Sequence, residues 1–476
     1  MSLLLRRRAL LQSLSDNIEG IGADGQIVLS YTGSVDNNQY RQMRYASVDY
    51  GNNYQVVAVT ASVPALNSGS TGGKFYQAQL KYGVGWSIIP NLVRDEYVGS
   101  QVFMVTGPTG SVATVAQDIS IFGYNTALNL LTIYKRIRPR NGTSDLIPSS
   151  TTSKQKIAVA TAPELSKVIV ALDTASIAID FRNTNPWGST PVEDWIVNNL
   201  GTTGTYTAST QCSVAKYPTA LSYSLEGSKY FNLDLKTSKD PNLTYCIVGS
   251  WASNGTASYS RDGATTWQSL NAALTGTSES LSPHTDWYES SEISLDGKDT
   301  VIATDGGLYF SHDYLQTFEY KSYEDVGITN FEYPNLNTDN VIRHIKLAAS
   351  SKLKHIYIFG ETYLGTENTD GVSGSIWASH DYGKSFTQVL GPFYAHYRVS
   401  QDIDCSANGQ YVVFKTPKVS NTNMSKVSQD FGDTWTTPTG LGLDYYTWGR
   451  ENISSIKFYR EYPGYPSHSI SVSASL

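Results

Sequence analysis

The chain has 476 residues, enough for one large all-β domain or for two or three smaller domains. Only 16% of the residues are charged, while 39 glycines and 33 tyrosines accompany many Ser, Thr and Asn residues, a profile typical of many short strands joined by polar loops. A net charge of −7, with no run of Lys or Arg beyond the first ten residues, argues against a nucleic-acid-binding surface.

Residues 1–20 form a basic, leucine-rich segment that is predicted to be helical where ordered. The charges follow the first apolar residues, and no long apolar core or small-residue cleavage site is present, so the segment does not resemble a signal peptide. No stretch reaches the ~20 apolar residues of a membrane-spanning helix. A loose terminus is one interpretation. The other is an attachment arm that docks on a partner, because five leucines are costly to leave in water: Leu3, Leu4, Leu5, Leu10 and Leu11.

The second half of the chain repeats an eight-residue turn pattern, described below, and incomplete versions of that pattern occur in the first half. Residues 47–54 keep Ser, Asp, Gly and a closing aromatic, residues 79–86 keep the Gly and the aromatic, and residues 178–184 keep Asp and Thr. Together they predict that one repeat runs over most of the chain. The alternative is a separate N-terminal β domain that ends near the polar segment 149–155.

The second half contains four copies of the pattern S-x-D-x-G-x-[TS]-[WF]. They occupy residues 260–267, 311–318, 379–386 and 428–435, and their acidic residues are Asp262, Asp313, Asp381 and Asp430. Two copies match fully, while Ala264 and Leu315 stand where the others have Gly.

The chemistry of these residues predicts a turn that joins two strands. Asp and Ser or Thr side chains can hydrogen-bond turn amides, Gly tolerates a positive φ, and the closing aromatic packs inward. The four Asp residues are 51, 68 and 49 residues apart, a period typical of a repeat built from a small antiparallel sheet. Such sheets repeated around an axis form a β-propeller. The predicted fold is all-β: a propeller of six or seven four-stranded blades over residues 21–476, preceded by the short arm over residues 1–20.

Hairpin signals place the strands within each repeat. The Asp-Gly and Asn-Gly sequences at 295–298 and 406–409 predict tight turns, followed by strands at 300–304 and 411–415. A third strand runs into the eight-residue turn and a fourth leaves it. The first strand of the chain is predicted at 26–31. The loops between blades then lie on the face opposite the eight-residue turns.

The interblade loops of the second half are rich in aromatic and charged residues. Aromatic faces can stack on sugar rings and carboxylates can bond hydroxyls, so the loops predict a surface for a glycan or a polar protein. The alternative is that these aromatics pack the seams between blades. The candidate ligand-binding residues are Trp287, Tyr288, Glu289, Arg343, Tyr397, Arg398, Tyr446, Trp448 and Arg450.

Other functional signals are weak. Cys212, Cys246 and Cys405 are too few and too scattered for a disulfide framework or a zinc site, so they are predicted to be small buried residues. The acidic turn at 305–307 resembles a calcium-binding turn, but such sequences usually only turn the chain. No metal and no cofactor is predicted.

The eight-residue pattern resembles the Asp-box, or BNR-repeat, propellers, a family that includes sialidases and other glycoside hydrolases as well as non-enzymatic receptors. The resemblance is good over residues 245–440 and loose elsewhere. It implies that the Asp-boxes are structural and lie away from the ligand, so the acids at 262, 313, 381 and 430 are not expected to be catalytic.

A sialidase-like hydrolase is the alternative function that this resemblance implies. Arg343, Arg398 and Arg450 each stand near the start of an inner strand and could form the arginine cluster that holds a substrate carboxylate. Tyr446 and Glu289 could form the nucleophile pair. The Arg-Ile-Pro motif expected near the first blade is missing, however, since the closest sequence, 135–139, is interrupted.

The opening residues resemble the starts of structural proteins from gut Bacteroidetes and their phages. This resemblance predicts a non-enzymatic virion surface protein, a phage head or tail fibre or decoration protein, that displays the propeller for binding a glycan or host surface. The arm over residues 1–20 would bind other virion proteins. The protein is further predicted to be made in the host cytoplasm and to form a homo-oligomer. No nucleic-acid partner and no membrane span are predicted.

Overall fold

A computed structural model describes most of the chain between residues 24 and 462. The described ranges are 24–36, 39–59, 85–96, 99–106, 119–126, 128–137, 139–141, 144–147, 157–181, 204–206, 212–221, 233–250, 256–274, 288–304, 306–328, 343–363, 372–395, 402–416, 425–441, 451–460 and residue 462. The predicted attachment arm lies outside these ranges.

Seven antiparallel sheets form the blades of a β-propeller in the described part of the chain. This confirms the predicted fold, and it fixes the predicted six or seven blades at seven. Each blade is numbered below in chain order, and its innermost strand faces the propeller axis.

The first three blades come from the half of the chain with weak repeats. Blade 1 consists of β1 (Val28–Asp36), β2 (Gln39–Ser47), β3 (Gln55–Val56) and, from the far end of the chain, β31 (Glu451–Phe458). Blade 2 contains β5 (Trp86–Glu96), β6 (Gly99–Thr106), β7 (Ile119–Asn125) and β8 (Leu130–Ile137), with β4 (Ala58–Val59) and β14 (Gly204–Tyr206) parallel to β8. A separate hairpin consists of β9 (Arg140–Asn141) and β10 (Ser144–Asp145). Blade 3 contains β11 (Ala158–Thr161), β12 (Lys167–Ala171), β13 (Ala175–Asp180) and β15 (Ser213–Lys216).

The last four blades follow the strong repeats. Blade 4 contains β16 (Leu233–Thr237), β17 (Cys246–Ser250), β18 (Ala257–Ser260) and β19 (Gln268–Ser269). Blade 5 contains β20 (Tyr288–Ile293), β21 (Thr300–Thr304), β22 (Leu308–Ser311) and β23 (Glu319–Lys321). Blade 6 contains β24 (Arg343–Ala349), β25 (Ile356–Tyr363), β26 (Val372–Ser379) and β27 (Thr387–Ala395). Blade 7 contains β28 (Asp402–Cys405), β29 (Val412–Lys415) and β30 (Lys426–Ser428).

Helix is scarce in this fold. The described residues contain one short α-helix, α1 (Leu270–Leu274), and one 3₁₀ turn (Pro163–Leu165). In this part of the chain no helix has the length and apolar character needed to cross a membrane.

Blade 1 closes the ring by combining strands from both halves of the chain. β31 pairs antiparallel with β1, so that Val28 lies opposite Phe458 and Val35 lies opposite Glu451. The buried side chains of these strands pack with those of blade 7, including Val413 and Val427. The propeller is therefore closed in two ways: strand pairing between β31 and β1 inside blade 1, and apolar packing between blade 1 and blade 7.

Five blades, 1 and 4 to 7, have the same turn directly after their third strand, counted outward from the propeller axis. In blade 4, the Ser260 hydroxyl donates to Asp262 Oδ1 at 2.8 Å, and the Ala264 amide donates to Ser260 Oγ at 3.0 Å. The Thr266 amide and hydroxyl donate to the two carboxylate oxygens of Asp262 at 2.9 and 2.6 Å. The same pattern of bonds occurs around Asp313, Asp381, Asp430 and, in its degenerate form, Asp49.

The conformation of the turn explains its glycine preference. Gly383 and Gly432 have φ values of 79° and 90°, in the left-handed region that L-residues rarely adopt. Ala264 and Leu315, which replace Gly, are held at 63° and 61°. The side chain of Leu315 is fully buried against blades 4 and 5, so apolar packing offsets its backbone strain.

Each of these turns also joins the turn between the first and second strands of its own blade. The Tyr314 amide donates to the Lys298 carbonyl at 3.1 Å, and the Phe431 amide donates to the Gln410 carbonyl at 3.0 Å. Equivalent bonds occur in blades 4 and 6, and in blade 1 the Tyr50 amide donates to the carbonyl of Gln26, just before β1. The two turns of each blade therefore lie on the same face of the propeller.

Protonation of the turn carboxylates is expected to destabilise the fold. Burial by itself raises the pKa of Asp381, but hydrogen bonds from the Ser385 and Ser379 hydroxyls and backbone amides outweigh it and leave the pKa below its usual value. The pKa values of Asp262, Asp313 and Asp430 are likewise below the usual value. Unfolded Asp titrates near about 3.9, so this stability is present above that pH and is lost as the pH falls through the lower folded pKa.

The variant Asp381→Asn tests this expectation. It should be less stable than the wild type at neutral pH, and the gap should close as the pH falls to about 2–3, where the wild-type carboxyl is protonated as well. Asp433→Asn is the matched control, since Asp433 is exposed and its side chain forms none of the turn bonds. Urea unfolding midpoints measured across this pH range give the comparison, and a gap for Asp381→Asn that does not change with pH would contradict the argument.

Candidate functional site

The innermost strands of all seven blades surround a cavity of about 210 Å³ on the propeller axis. Its walls come from β5, β11, β16, β20, β24, β28 and β31, and from the residues that follow several of these strands. Propeller axes are places where many short strands bring side chains together, so this cavity is the candidate functional site.

Blades 4, 5, 6, 7 and 1 supply charged side chains to the cavity. Lys236 Nζ donates to Glu292 Oε1 at 2.5 Å, which joins β16 to β20, and lies 4.0 Å from Asp234 Oδ1. Arg460 forms an ion pair with Asp404, which joins blade 1 to blade 7. Burial opposes the charge on Lys236, but Glu292 and Asp234 outweigh it and hold the pKa of Lys236 above its usual value. These ion pairs fix charged groups at the cavity wall.

The opposite wall is mostly apolar. It contains Trp86, Ile88 and Pro90 from β5 and Ala158 and Ala160 from β11. Lys457 Nζ lies 5.7 Å from the centre of the Trp86 ring, a distance typical of a cation–π contact. The cavity therefore has one charged side and one apolar side.

Several charged residues of the cavity wall follow a regular spacing in the sequence. This spacing is not visible in the positions of the eight-residue turns, which are irregularly spaced. Ser238, Ser294, Ser350 and Ser406 recur every 56 residues, each directly after the innermost strand of its blade. Each hydroxyl accepts a backbone hydrogen bond across the following turn. The residues two positions earlier lie on the inner strands, and three of the four are charged: Lys236, Glu292, Ala348 and Asp404.

Hydrogen bonds around the axis hold neighbouring blades together at the turn end of the cavity. The Lys239 amide donates to the Leu295 carbonyl at 2.8 Å, the Leu295 amide to Ser351 at 2.6 Å, and the Ser351 amide to Ala407 at 2.7 Å. The Ala407 amide donates to Asp24 Oδ1 at 3.1 Å, which continues the chain of bonds into blade 1. The cavity wall is therefore positioned by backbone as well as by side chains.

Two cavity carboxylates also have structural partners. Asp402 Oδ2 accepts the Ile456 amide and Asp404 Oδ2 accepts the Phe458 amide, both at 2.9 Å, so these side chains join blade 7 to β31. Burial raises the pKa of Asp402, despite the opposing effect of Lys457 and the Ile456 amide. Asp402 therefore keeps its proton to a higher pH than an ordinary Asp.

Two of the predicted ligand-binding residues lie between blades. Tyr288 is 1% exposed, and its hydroxyl donates to Asp234 Oδ2 at 2.9 Å while contacting Ser291 Oγ at 2.8 Å. Burial and the Asp234 charge raise the pKa of Tyr288 well above its usual value. Glu289 is 4% exposed, and its Oε2 accepts the Ile345 amide at 3.4 Å. Both residues therefore join adjacent blades, which is the seam-packing role that aromatic loop residues were also predicted to have.

The remaining predicted ligand residues are not brought into one site by the described structure. Arg343 is the first residue of β24 and lies opposite Glu361 of β25. The other predicted residues lie outside the described ranges: Trp287, Tyr397, Arg398, Tyr446, Trp448 and Arg450. The arginine cluster of a sialidase-like hydrolase therefore stays a prediction.

The described residues contain no group of three or more His, Cys, Asp or Glu side chains placed to bind a metal ion. Cys246 and Cys405 are fully buried and Cys212 is partly buried, as small apolar residues would be. Burial raises the pKa of both buried thiols. Neither thiol is therefore suited to act as a nucleophile.

Comparison with known proteins gives similar folds but no family. No family model and no curated protein matches the chain. A structure named as a 6-phosphogluconolactonase of Bacteroides uniformis matches at 11% identity and a TM-score of 0.42, over 91% of this chain and 99% of that one. The periplasmic gluconolactonase of Pseudomonas aeruginosa matches at 9% identity and a TM-score of 0.43, over 91% and 99%. A fucose-specific lectin of Aleuria aurantia matches at 10% identity and a TM-score of 0.32, over 76% and 98%.

The comparison corrects one prediction. The expected non-enzymatic character is contradicted, because two of these similar structures are named as enzymes. At such low identity, and with TM-scores below 0.5, the likeness assigns no activity or ligand to this chain. The function of this chain therefore has to be argued from its own cavity.

Proposed function

We propose that this propeller binds a small carbohydrate in its axial cavity. The observation that carries the proposal is the contrast between the two cavity walls. A sugar ring has hydroxyl groups around its edge and apolar C–H groups on its faces, so it suits a site with polar groups on one side and Trp86, Ile88 and Pro90 on the other.

The charged wall offers both donors and acceptors for hydroxyl groups. Asp234 Oδ2 accepts the Tyr288 hydroxyl, while the other carboxylate oxygen of Asp234 lies 4.0 Å from Lys236. Lys346 lines the same cavity and, among the described side chains, no carboxylate lies within 4.0 Å of its ammonium group. An ammonium group has three N–H donors, so Lys346 can bind hydroxyl or carboxylate oxygens of a ligand.

The size of the cavity limits the ligand. Its 210 Å³ lies below the range of about 300–1,000 Å³ that is typical of pockets for drug-sized molecules. A single sugar, neutral or acidic, is therefore a better fit than an oligosaccharide.

Calorimetric titration with a panel of neutral and acidic monosaccharides tests the proposal. Lys346→Gln is expected to weaken binding of the best sugar about tenfold, or about 1.4 kcal/mol. Lys384→Gln removes the same charge from an exposed turn residue and should leave the affinity unchanged. Chromatography of the titrated mixture would detect conversion of the sugar. The proposal fails if no sugar binds, or if both variants bind like the wild type.

We further propose that the protein belongs to the Asp-box family and is attached to a virus particle. The leucines at positions 3, 4, 5, 10 and 11 support the attachment arm, and the repeated turn around Asp262, Asp313, Asp381 and Asp430 supports the family. A chain lacking residues 1–20 should fold but no longer enter particles. Unchanged incorporation would exclude the arm as the anchor.

A further inference from the structure

Lys239 is a cavity amine with an unusual set of neighbours. It follows β16 at the turn end of the cavity, and its Nζ donates to Thr237 Oγ1 at 3.1 Å. Among the described residues, no carboxylate oxygen lies within ion-pair distance, 4.0 Å, of this amine. Lys236, three residues earlier, lies in the same cavity but is paired with Glu292 at 2.5 Å. Lys236 is therefore ion-paired in the cavity, whereas Lys239 has only a hydroxyl partner for its amine among the described residues.

The charges that most affect Lys239 are mostly positive. Arg460, which follows β31, Lys236 of β16 and Lys457 of β31 lower its pKa, while the carboxylate of Glu292 raises it. Asp234, Asp402 and Asp404 line the same cavity, and Asp404 is paired with Arg460. Burial and then the Arg460 charge lower the pKa of Lys239 to about 8. At pH 7 about one such amine in ten is neutral, against fewer than about one in a thousand for an ordinary lysine.

We infer that Lys239 is a nucleophilic amine that forms an imine with a small aldehyde or ketone in the axial cavity. The neutral amine adds to the carbonyl carbon, the carbonyl oxygen leaves as water, and a carbon–nitrogen double bond remains, so the reversible step needs no oxidant or reductant. A desolvated lysine beside other cations is a recognised form of such a nucleophile. Thr237, in contact with the amine, restricts its position.

The inference goes beyond carbohydrate binding and can be tested without a sugar ligand. Glycolaldehyde is small enough for the cavity, and cyanoborohydride reduces any imine to a stable secondary amine. The full chain would be incubated with both reagents between about pH 6 and about pH 10, then digested and mapped by mass spectrometry. Lys239 is expected to be modified at least tenfold faster than the exposed Lys384 at neutral pH, with a rate that rises to half its maximum near pH 8.

Two variants make the result specific. Lys239→Arg keeps the positive charge but removes the nucleophile, so the fast modification should disappear while the circular dichroism spectrum is unchanged. Lys236 in the wild-type chain is the internal control for access, because it lines the same cavity but is paired with Glu292.

The inference is overturned if Lys239 reacts no faster than Lys384, if Lys236 reacts equally fast, or if the rate rises only near the ordinary lysine pKa of about 10.4. Failure of the sugar titration would leave this result unaffected, because glycolaldehyde modification does not depend on recognition of a sugar ring.

Discussion

Trp267→Ala is expected to lower the free energy of unfolding by about 3–5 kcal/mol, the usual cost of removing a large buried aromatic side chain. Trp267 closes the eight-residue turn of blade 4 and is only 7% exposed. Its Nε1 donates to Ser176 Oγ of blade 3 at 2.9 Å, and its ring meets Tyr217 edge-on at 5.2 Å. The loss would therefore weaken the contact between two blades as well as the turn itself.

Trp435→Ala is the matched control. Trp435 closes the turn of blade 7, but it is only partly buried and its Nε1 donates to Gly432 in its own turn at 2.8 Å. The expected loss is smaller, about 1–2 kcal/mol. Trp267→Phe separates the loss of apolar packing from the loss of the hydrogen bond. It keeps an aromatic ring but leaves Ser176 without its donor, so the free energy of unfolding should fall by about 1–3 kcal/mol. Guanidinium unfolding followed by circular dichroism measures all three, and equal losses for both Trp→Ala variants would show that the contact between blades adds nothing.

Breaking the ion pair between Lys236 and Glu292 is expected to have an effect of similar size. Lys236→Met leaves the carboxylate of Glu292 in the cavity without its closest partner, and Glu292→Leu leaves the ammonium of Lys236, at a cost of about 3–5 kcal/mol each. The double variant Lys236→Met/Glu292→Leu removes both charges together. Its stability should return close to that of the wild type, since isolated buried charges, more than the loss of the pair, cause the damage.

A double-mutant cycle checks this expectation. Unfolding free energies of the wild type, both single variants and the double variant give the coupling energy between the two side chains. Losses that simply add in the double variant would mean that the two charges are independently stabilised by other groups of the cavity.

Local patterns predicted much of the fold. The strand predicted at 300–304 is β21 (Thr300–Thr304), and the strand predicted at 411–415 is β29 (Val412–Lys415). Asn-Gly, Asp-Gly and the Ser-x-Asp turns are short-range signals whose hydrogen bonds form within a few residues, so they can be interpreted without knowing the tertiary structure. The even weaker signal at 47–54 also corresponds to a turn of this kind, around Asp49.

The axial cavity was not predicted, and the reason is physical. Charged residues of this wall stand two positions before a serine that recurs every 56 residues. The sequence prediction instead used the Asp residues of the strong turns, whose spacing varies, so the inner strands were not aligned with one another. The variation arises because β25 and β26 of blade 6 have eight residues each and place Asp381 later in its repeat. A period measured at Ser238, Ser294, Ser350 and Ser406 would have aligned the inner strands. Lys239 gave no local signal, because its neighbours come from Arg460 and Glu292, far away in sequence.

The closure of blade 1 has a consequence for how this protein is made on the ribosome. Until β31 has been synthesised, the inner edge of β1 has no partner and the apolar side chains of Val28 and Tyr45 lack part of their packing. The last sheet can form only by joining segments separated by almost the whole chain, which is a slow step for contacts of such long range. During that interval an open strand edge is available to a second nascent copy, so aggregation during synthesis should depend on translation speed and on the presence of chaperones.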